Sequence, residues 1–108
     1  MYSIVVSEHF KRQLKKLVKR DQNLKERVVS VLETFPNITN VSIGGRVFKV
    51  RLKRQKSGKS GGYRMYIFVL QTDTILTPLC IYRKSEKENL SSKELEAHLL
   101  AVESELNQ

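Results

Sequence analysis

The chain has 108 residues and a formal net charge of +9, from 20 Lys and Arg against 11 Asp and Glu. That length suits one domain with its own core; the single cysteine, Cys80, excludes an intramolecular disulfide, and two histidines, His9 and His98, argue against a Cys/His zinc site. No apolar run approaches the roughly 18 residues that span a bilayer, and no basic segment precedes the first apolar stretch as in a signal peptide, so the expectation is one cytoplasmic domain over residues 1–108, with a polyanionic partner and no membrane.

Residues 2–6 are β-branched and aromatic, a first strand. Ser7 stands as a helix N-cap, and Phe10, Leu14, Leu17 and Val18 form one helical stripe behind it. Lys11, Arg12, Lys15, Lys16, Lys19 and Arg20 cover the other side of that helix. Asp21 is read as the cap of a second helix with the stripe Leu24, Val28, Val31, Leu32 and Phe35, stopped by Pro36. The short link makes the two helices an antiparallel hairpin. Residues 37–40 read as a loop, and the Asn37-Ile38-Thr39 sequon as chance.

From Arg46 to Lys53 the pattern alternates. Phe48, Val50 and Leu52 face one way and Lys49, Arg51 and Lys53 the other, a half-buried strand with a basic face. A polar, glycine-rich turn follows over residues 54–62. Residues 63–70 and 74–82 are two more strands joined through Gln71, Thr72 and Asp73; Pro78 predicts an edge or a bulge in the second of them. Ser91, with Glu94 three residues on, opens a last helix through a capping box. Its apolar stripe is Leu95, Leu99, Val102 and Leu106. The order β-α-α-β-β-β-α with short strand connections predicts a two-layer α+β domain, its sheet mainly antiparallel. The helices are expected on one face and the basic side chains on the other.

Charge marks the working surface. Residues 45–64 carry Arg46, Lys49, Arg51, Lys53, Arg54, Lys56, Lys59 and Arg64 and no acid. From Ser85 onward acids dominate, so the tail is set aside as a binding surface. Like charge without relief costs stability, which calls for an anionic partner. Gly58-Lys59-Ser60 ends like a phosphate-binding P-loop, but Lys53 stands where that motif needs glycine and a strand follows instead of a helix. His9 and His98 read as surface residues and Cys80 as an inert core thiol. What remains is cationic. Lys49, Arg51 and Lys53 share a face, Arg64 lies beside Tyr66 and Phe68, and Arg83 and Lys84 end the last strand. Such a face can hold phosphate bidentately and stabilise charge gained in a transition state, while tyrosines can stack on unpaired bases. A non-catalytic RNA-binding surface would need the same residues.

Lys49-Val50-Arg51-Leu52, the run from Gly58 to Arg64 and the run from Ile81 to Ser91 resemble the RelE/ParE toxin superfamily of type II toxin–antitoxin systems, in its HigB-type or RelE-like branch. The resemblance covers nearly the whole chain. It implies a toxin that inhibits translation as a ribosome-dependent, metal-independent mRNA endoribonuclease without cofactor, neutralised by a cognate antitoxin. Under it, Lys49, Arg51, Arg64 and Lys84 are the catalytic residues, Arg64 gripping the scissile phosphate. Arg46, Lys53, Lys59, Tyr66, Tyr82 and Arg83 are the expected RNA-binding residues. Many members place a tyrosine near the C-terminus where Leu90 stands here, which leaves the general base open among Tyr82, Tyr66 and a lysine. Gyrase inhibitors of the ParE type share the fold and form the alternative activity.

Overall fold

The computed structural model describes residues 2–53, 62–70 and 74–107. The elements run β1 (Ser3–Ile4), α1 (Glu8–Val18), α2 (Leu24–Thr34), β2 (Asn40–Ser42), β3 (Val47–Leu52), β4 (Tyr63–Val69), β5 (Ile75–Arg83) and α3 (Ser92–Leu106). The strands form one sheet in the order β1-β5-β4-β3-β2. All pairings are antiparallel except the short one between β1 and β5. The class is α+β, as the element order predicts. β2 is an addition: residues expected in a loop pair with β3 from Asn40 opposite Val50 to Ser42 opposite Phe48. The glycine-rich turn and the Gln71-Thr72-Asp73 turn fall almost wholly outside the described residues.

The caps follow local chemistry in two helices and depart from it in the third. Ser7 accepts a hydrogen bond from the Phe10 amide at 3.1 Å, and Ser91 and Glu94 complete a reciprocal capping box. The second helix starts later than expected, with Asn23 at its N-cap. Asp21 is drawn elsewhere, because its Oδ2 accepts from Arg27 at 3.1 Å and from the Tyr63 hydroxyl at 3.0 Å. That ties the start of α2 to β4.

Pro78 sits at an irregularity. Tyr66 pairs with Cys80 but Ile67 pairs with Pro78, so Leu79 is the extra residue of a bulge. The strand itself is interior, between β1 and β4, so the bulge and not an edge accommodates the missing donor.

The main core lies between the sheet and α1 and α2. Phe10, Leu24, Val28 and Leu32 meet Val50, Leu52, Met65, Ile67 and Ile81, all buried. Phe48, Val50 and Leu52 face it, as their alternation requires. The third helix corrects the expectation that all helices share a face. Leu95, Leu99, Val102 and Leu106 pack on Val47, Tyr66, Phe68, Leu79 and Cys80, a second cluster on the opposite side of the sheet. β4 explains this: six of its seven residues are buried, so both of its faces are apolar enough to need cover. A clasp joins α3 to α1. Glu105 accepts from the first amides of α1, Glu8 at 2.7 Å and His9 at 2.9 Å, and His9 Nε2 lies 2.8 Å from His98 Nδ1. Among the described residues no helix is long and apolar enough to cross a membrane.

Candidate nucleic-acid interface

α3 covers only part of its face of the sheet, and the rest is a cationic row. Register sets it. Arg51 of β3 stands directly opposite Arg64 of β4, which stands opposite Tyr82 of β5. One step along the strands, Lys49 stands opposite Tyr66, which is opposite Cys80. Neighbours across a sheet have Cβ atoms about 5 Å apart. Five of the predicted residues, Lys49, Arg51, Arg64, Tyr66 and Tyr82, therefore share one patch.

Arg64 is the centre of that patch and its most unusual member. Its side chain is only 2% exposed. The NH2 group bonds Glu88 Oε1 at 2.9 Å, while Nε and NH1 are buried with no hydrogen-bond partner among the described residues. A buried guanidinium normally has its donors satisfied, so two without a partner among the described residues set Arg64 apart from the other cations of the row. Gly62 allows this approach of β4 to β3. Its φ is +146°, and a Cβ there would sit 3.2 Å from the Leu52 carbonyl oxygen. The Gly62 carbonyl also accepts from the Lys84 amide at 3.0 Å, which fixes the end of β5 beside Arg64.

The tyrosines are supports. Tyr66 is 2% exposed, and its ring stacks with that of Tyr82 at a centroid distance of 6.3 Å. In this arrangement buried Tyr66 has no free face for a base, while Tyr82 is only partly buried. Burial, and then the neighbouring Tyr66, push the Tyr82 phenol above its ordinary value. It keeps its proton at neutral pH. Cys80 beneath them is raised by burial to about 12 and is inert.

Other expected residues lie at the ends of the row or apart from it. Arg83 turns to the α1 side with Tyr63 and lines a cleft of about 470 Å³ with Lys16, Arg20 and Glu86; its Nε bonds Glu86 at 3.2 Å. Lys84 is exposed just past β5, and Lys53 just past β3. Arg46 sits in the turn before β3 with φ 64°, its NH1 directed at the Leu70 carbonyl oxygen. It is five residues from Arg51, roughly 16 Å along the strand. Lys59 lies outside the described residues. No group of three or more His, Cys, Asp or Glu able to hold a metal occurs among the described residues.

The order of elements and the sheet agree with what comparison finds. The family described as "RelE toxin of RelE / RelB toxin-antitoxin system" matches residues 3–106. The chain belongs to the RelE toxin family. Membership makes it the toxin of a toxin–antitoxin pair, an mRNA-cleaving inhibitor of translation. Among solved structures, its fold resembles that of the E. coli toxin RelE, determined as a double arginine-to-alanine mutant in the free state. That similarity has a TM-score of 0.50 at 21% identity and covers 93% of this chain and 95% of the other. No curated protein matches the sequence.

In this RelE-family toxin two residues of the patch, Glu88 and Asn89, were given no role by sequence reasoning. With Leu90 they belong to the acidic stretch that charge counting set aside, yet all three lie over the basic row. Lys49 Nζ donates to Asn89 Oδ1 at 2.8 Å, and the Leu90 amide donates to the Tyr66 hydroxyl at 3.3 Å. The signal was the opposite charge of the two stretches: part of the neutralisation the basic face calls for comes from the same chain.

Proposed function

We propose that the row Lys49, Arg51 and Arg64, completed by Lys84, is the active site of a metal-independent endoribonuclease that cuts mRNA during translation in the cytoplasm. The supporting observation is Arg64, buried, flanked by Arg51 and Tyr82, with two donors that have no partner among the described residues. In the reaction the ribose 2′-oxygen attacks the adjacent phosphorus, the bond to the 5′-oxygen breaks, and a 2′,3′-cyclic phosphate remains. The proton leaves the 2′-hydroxyl to a base and another is delivered to the departing 5′-oxygen. Charge accumulates on the phosphate oxygens along this path, so fixed cations bind the transition state more tightly than the ground state. Arg64 holds that phosphate. Arg51 adds a second charge, and Lys49 acts as base or as electrostatic partner. With Leu90 at the expected tyrosine position, Lys49 and the neighbouring tyrosines are the candidates for proton transfer. Lys53, Lys59 and Arg46 extend the cationic track for flanking phosphates.

The test is induction of the protein alone in bacteria, followed by mapping of mRNA ends, and cleavage on purified ribosomes with and without chelator. Cuts within translated frames that persist without divalent ion at the toxin are expected, and Arg64→Ala abolishes them while still binding the antitoxin. Arrest of replication with inhibited gyrase and intact mRNA would refute the assignment.

A further inference from the structure

Residues 88–90 lie across the basic row, and each engages a different group of it. Glu88 takes Arg64 at 2.9 Å, Asn89 takes Lys49 at 2.8 Å, and Leu90 donates to the Tyr66 hydroxyl at 3.3 Å. The Glu88 side chain is 72% exposed where that of Arg64 is 2% exposed. The carboxylate thus reaches in from solvent to cap a guanidinium that is otherwise sealed. Carboxylate and phosphate present their oxygens to an arginine fork in the same way. Arg51 and Arg64 oppose each other across β3 and β4, and like charges so placed repel unless an anion lies between or beside them. Glu88 supplies it, but incompletely, because Nε and NH1 have no partners among the described residues.

We propose that the segment around Glu88 is an anionic strap whose carboxylate holds the phosphate seat of Arg64 in the free toxin, and that RNA enters by displacing it. The proposal rests on reading the basic row as the RNA-cleaving site. Displacement frees Lys49 from Asn89 in the same movement, because the two contacts come from adjacent residues. The Tyr66 hydroxyl is released with them, so one motion uncovers the phosphate seat and its neighbouring amine together. Leaving is inexpensive for Glu88, since a carboxylate already mostly in water is readily solvated. A ligand must therefore replace the anion at Arg64 to hold the strap open, which stray anions do poorly and a phosphodiester chain, also neutralising Arg51 and Lys49, does well.

The test measures binding of an uncleavable 2′-O-methyl trinucleotide to the full chain, with cleavage on ribosomes in parallel, for wild type, Glu88→Gln, Arg64→Met and the double variant. Glu88 is exposed, so its variant folds. Glu88→Gln should bind the trinucleotide roughly three- to tenfold more tightly, because a competing anion has gone, with cleavage undiminished. In the Arg64→Met background the gain should vanish. Unchanged or weaker binding by Glu88→Gln overturns the strap, as does an equal gain with and without Arg64, which would be general charge repulsion. Lost cleavage with intact binding also overturns it and makes Glu88 the general base. Wild-type cleavage by Arg64→Met alongside an Arg64-dependent gain in binding would leave the strap standing and remove the catalytic assignment.

Discussion

Replacing Arg64 with methionine should make the protein more stable and inactive at once. The side chain is 2% exposed, and two of its donors, Nε and NH1, lie buried without partners among the described residues. Each such group costs about 1–3 kcal/mol in lost hydration. Methionine is of similar length, brings no polar atom and adapts to irregular space. What it forfeits is the bond to Glu88, and the remaining carboxylate is 72% exposed. Truncating a buried pair is normally severe because the orphaned charge stays buried. Here it returns to water, so the loss is about 0–1 kcal/mol. Arg51 is also relieved of a like charge opposite it. The net expectation is a gain of about 1–6 kcal/mol, read as a higher urea midpoint with an unchanged slope. It should raise Tm by roughly 4–8 °C per kcal/mol for a domain near 100 residues. Turnover on ribosomes should fall about 100- to 1000-fold, as when one preorganised donor is removed from a charged transition state. A folded Arg64→Met protein less stable than wild type by more than about 1 kcal/mol would refute the claim that Arg64 stores unfavourable energy. Undiminished cleavage would refute its role.

The clasp between α1 and α3 should weaken in acid. Burial holds His9 and His98 below their ordinary value of 6.5, with Arg12 acting against charge on His9, Lys87 and His9 itself against charge on His98, and Glu105 partly offsetting for His9. The unfolded chain then takes up protons first, so stability present above about pH 7 should decline as pH falls through 6.5 toward the lowered native values. His98→Asn should flatten that decline in thermal melts at stepped pH; an unchanged slope would exclude the pair as its source. Gly62→Ala should cost about 1–3 kcal/mol, since its φ of +146° is strained for any side chain and its Cβ would press the Leu52 carbonyl. Chemical denaturation checks this, and a neutral result would show that β4 can shift away from β3. Cys80, raised to about 12, should resist thiol reagents in the native state at pH 8 and react once unfolded; rapid native labelling would contradict its burial.

Local pattern alone determined much of this protein. The alternation of Phe48, Val50 and Leu52 with Lys49 and Arg51 specified both a strand and which way each residue faces, because a strand's period is two whatever it pairs with. The Ser7 and Ser91 caps bond amides within three residues of themselves, so sequence sufficed for them as well. Asp21 shows the limit: its carboxylate is taken by Tyr63, 42 residues away. α3 shows it again, since its stripe foretold a helix with one apolar side but not which side of the sheet would receive it. That depended on β4 being apolar on both faces and on His9 and Glu105 joining the helix to α1. At the candidate site the cations were legible one by one, but their convergence required the register that sets Arg51 opposite Arg64 and Arg64 opposite Tyr82. The burial of Arg64, and the placing of Glu88 and Asn89 over a basic face 24 and 40 residues away in sequence, are long-range electrostatic outcomes. Opposite charges on one chain find each other only after the sheet has brought them within a few ångströms.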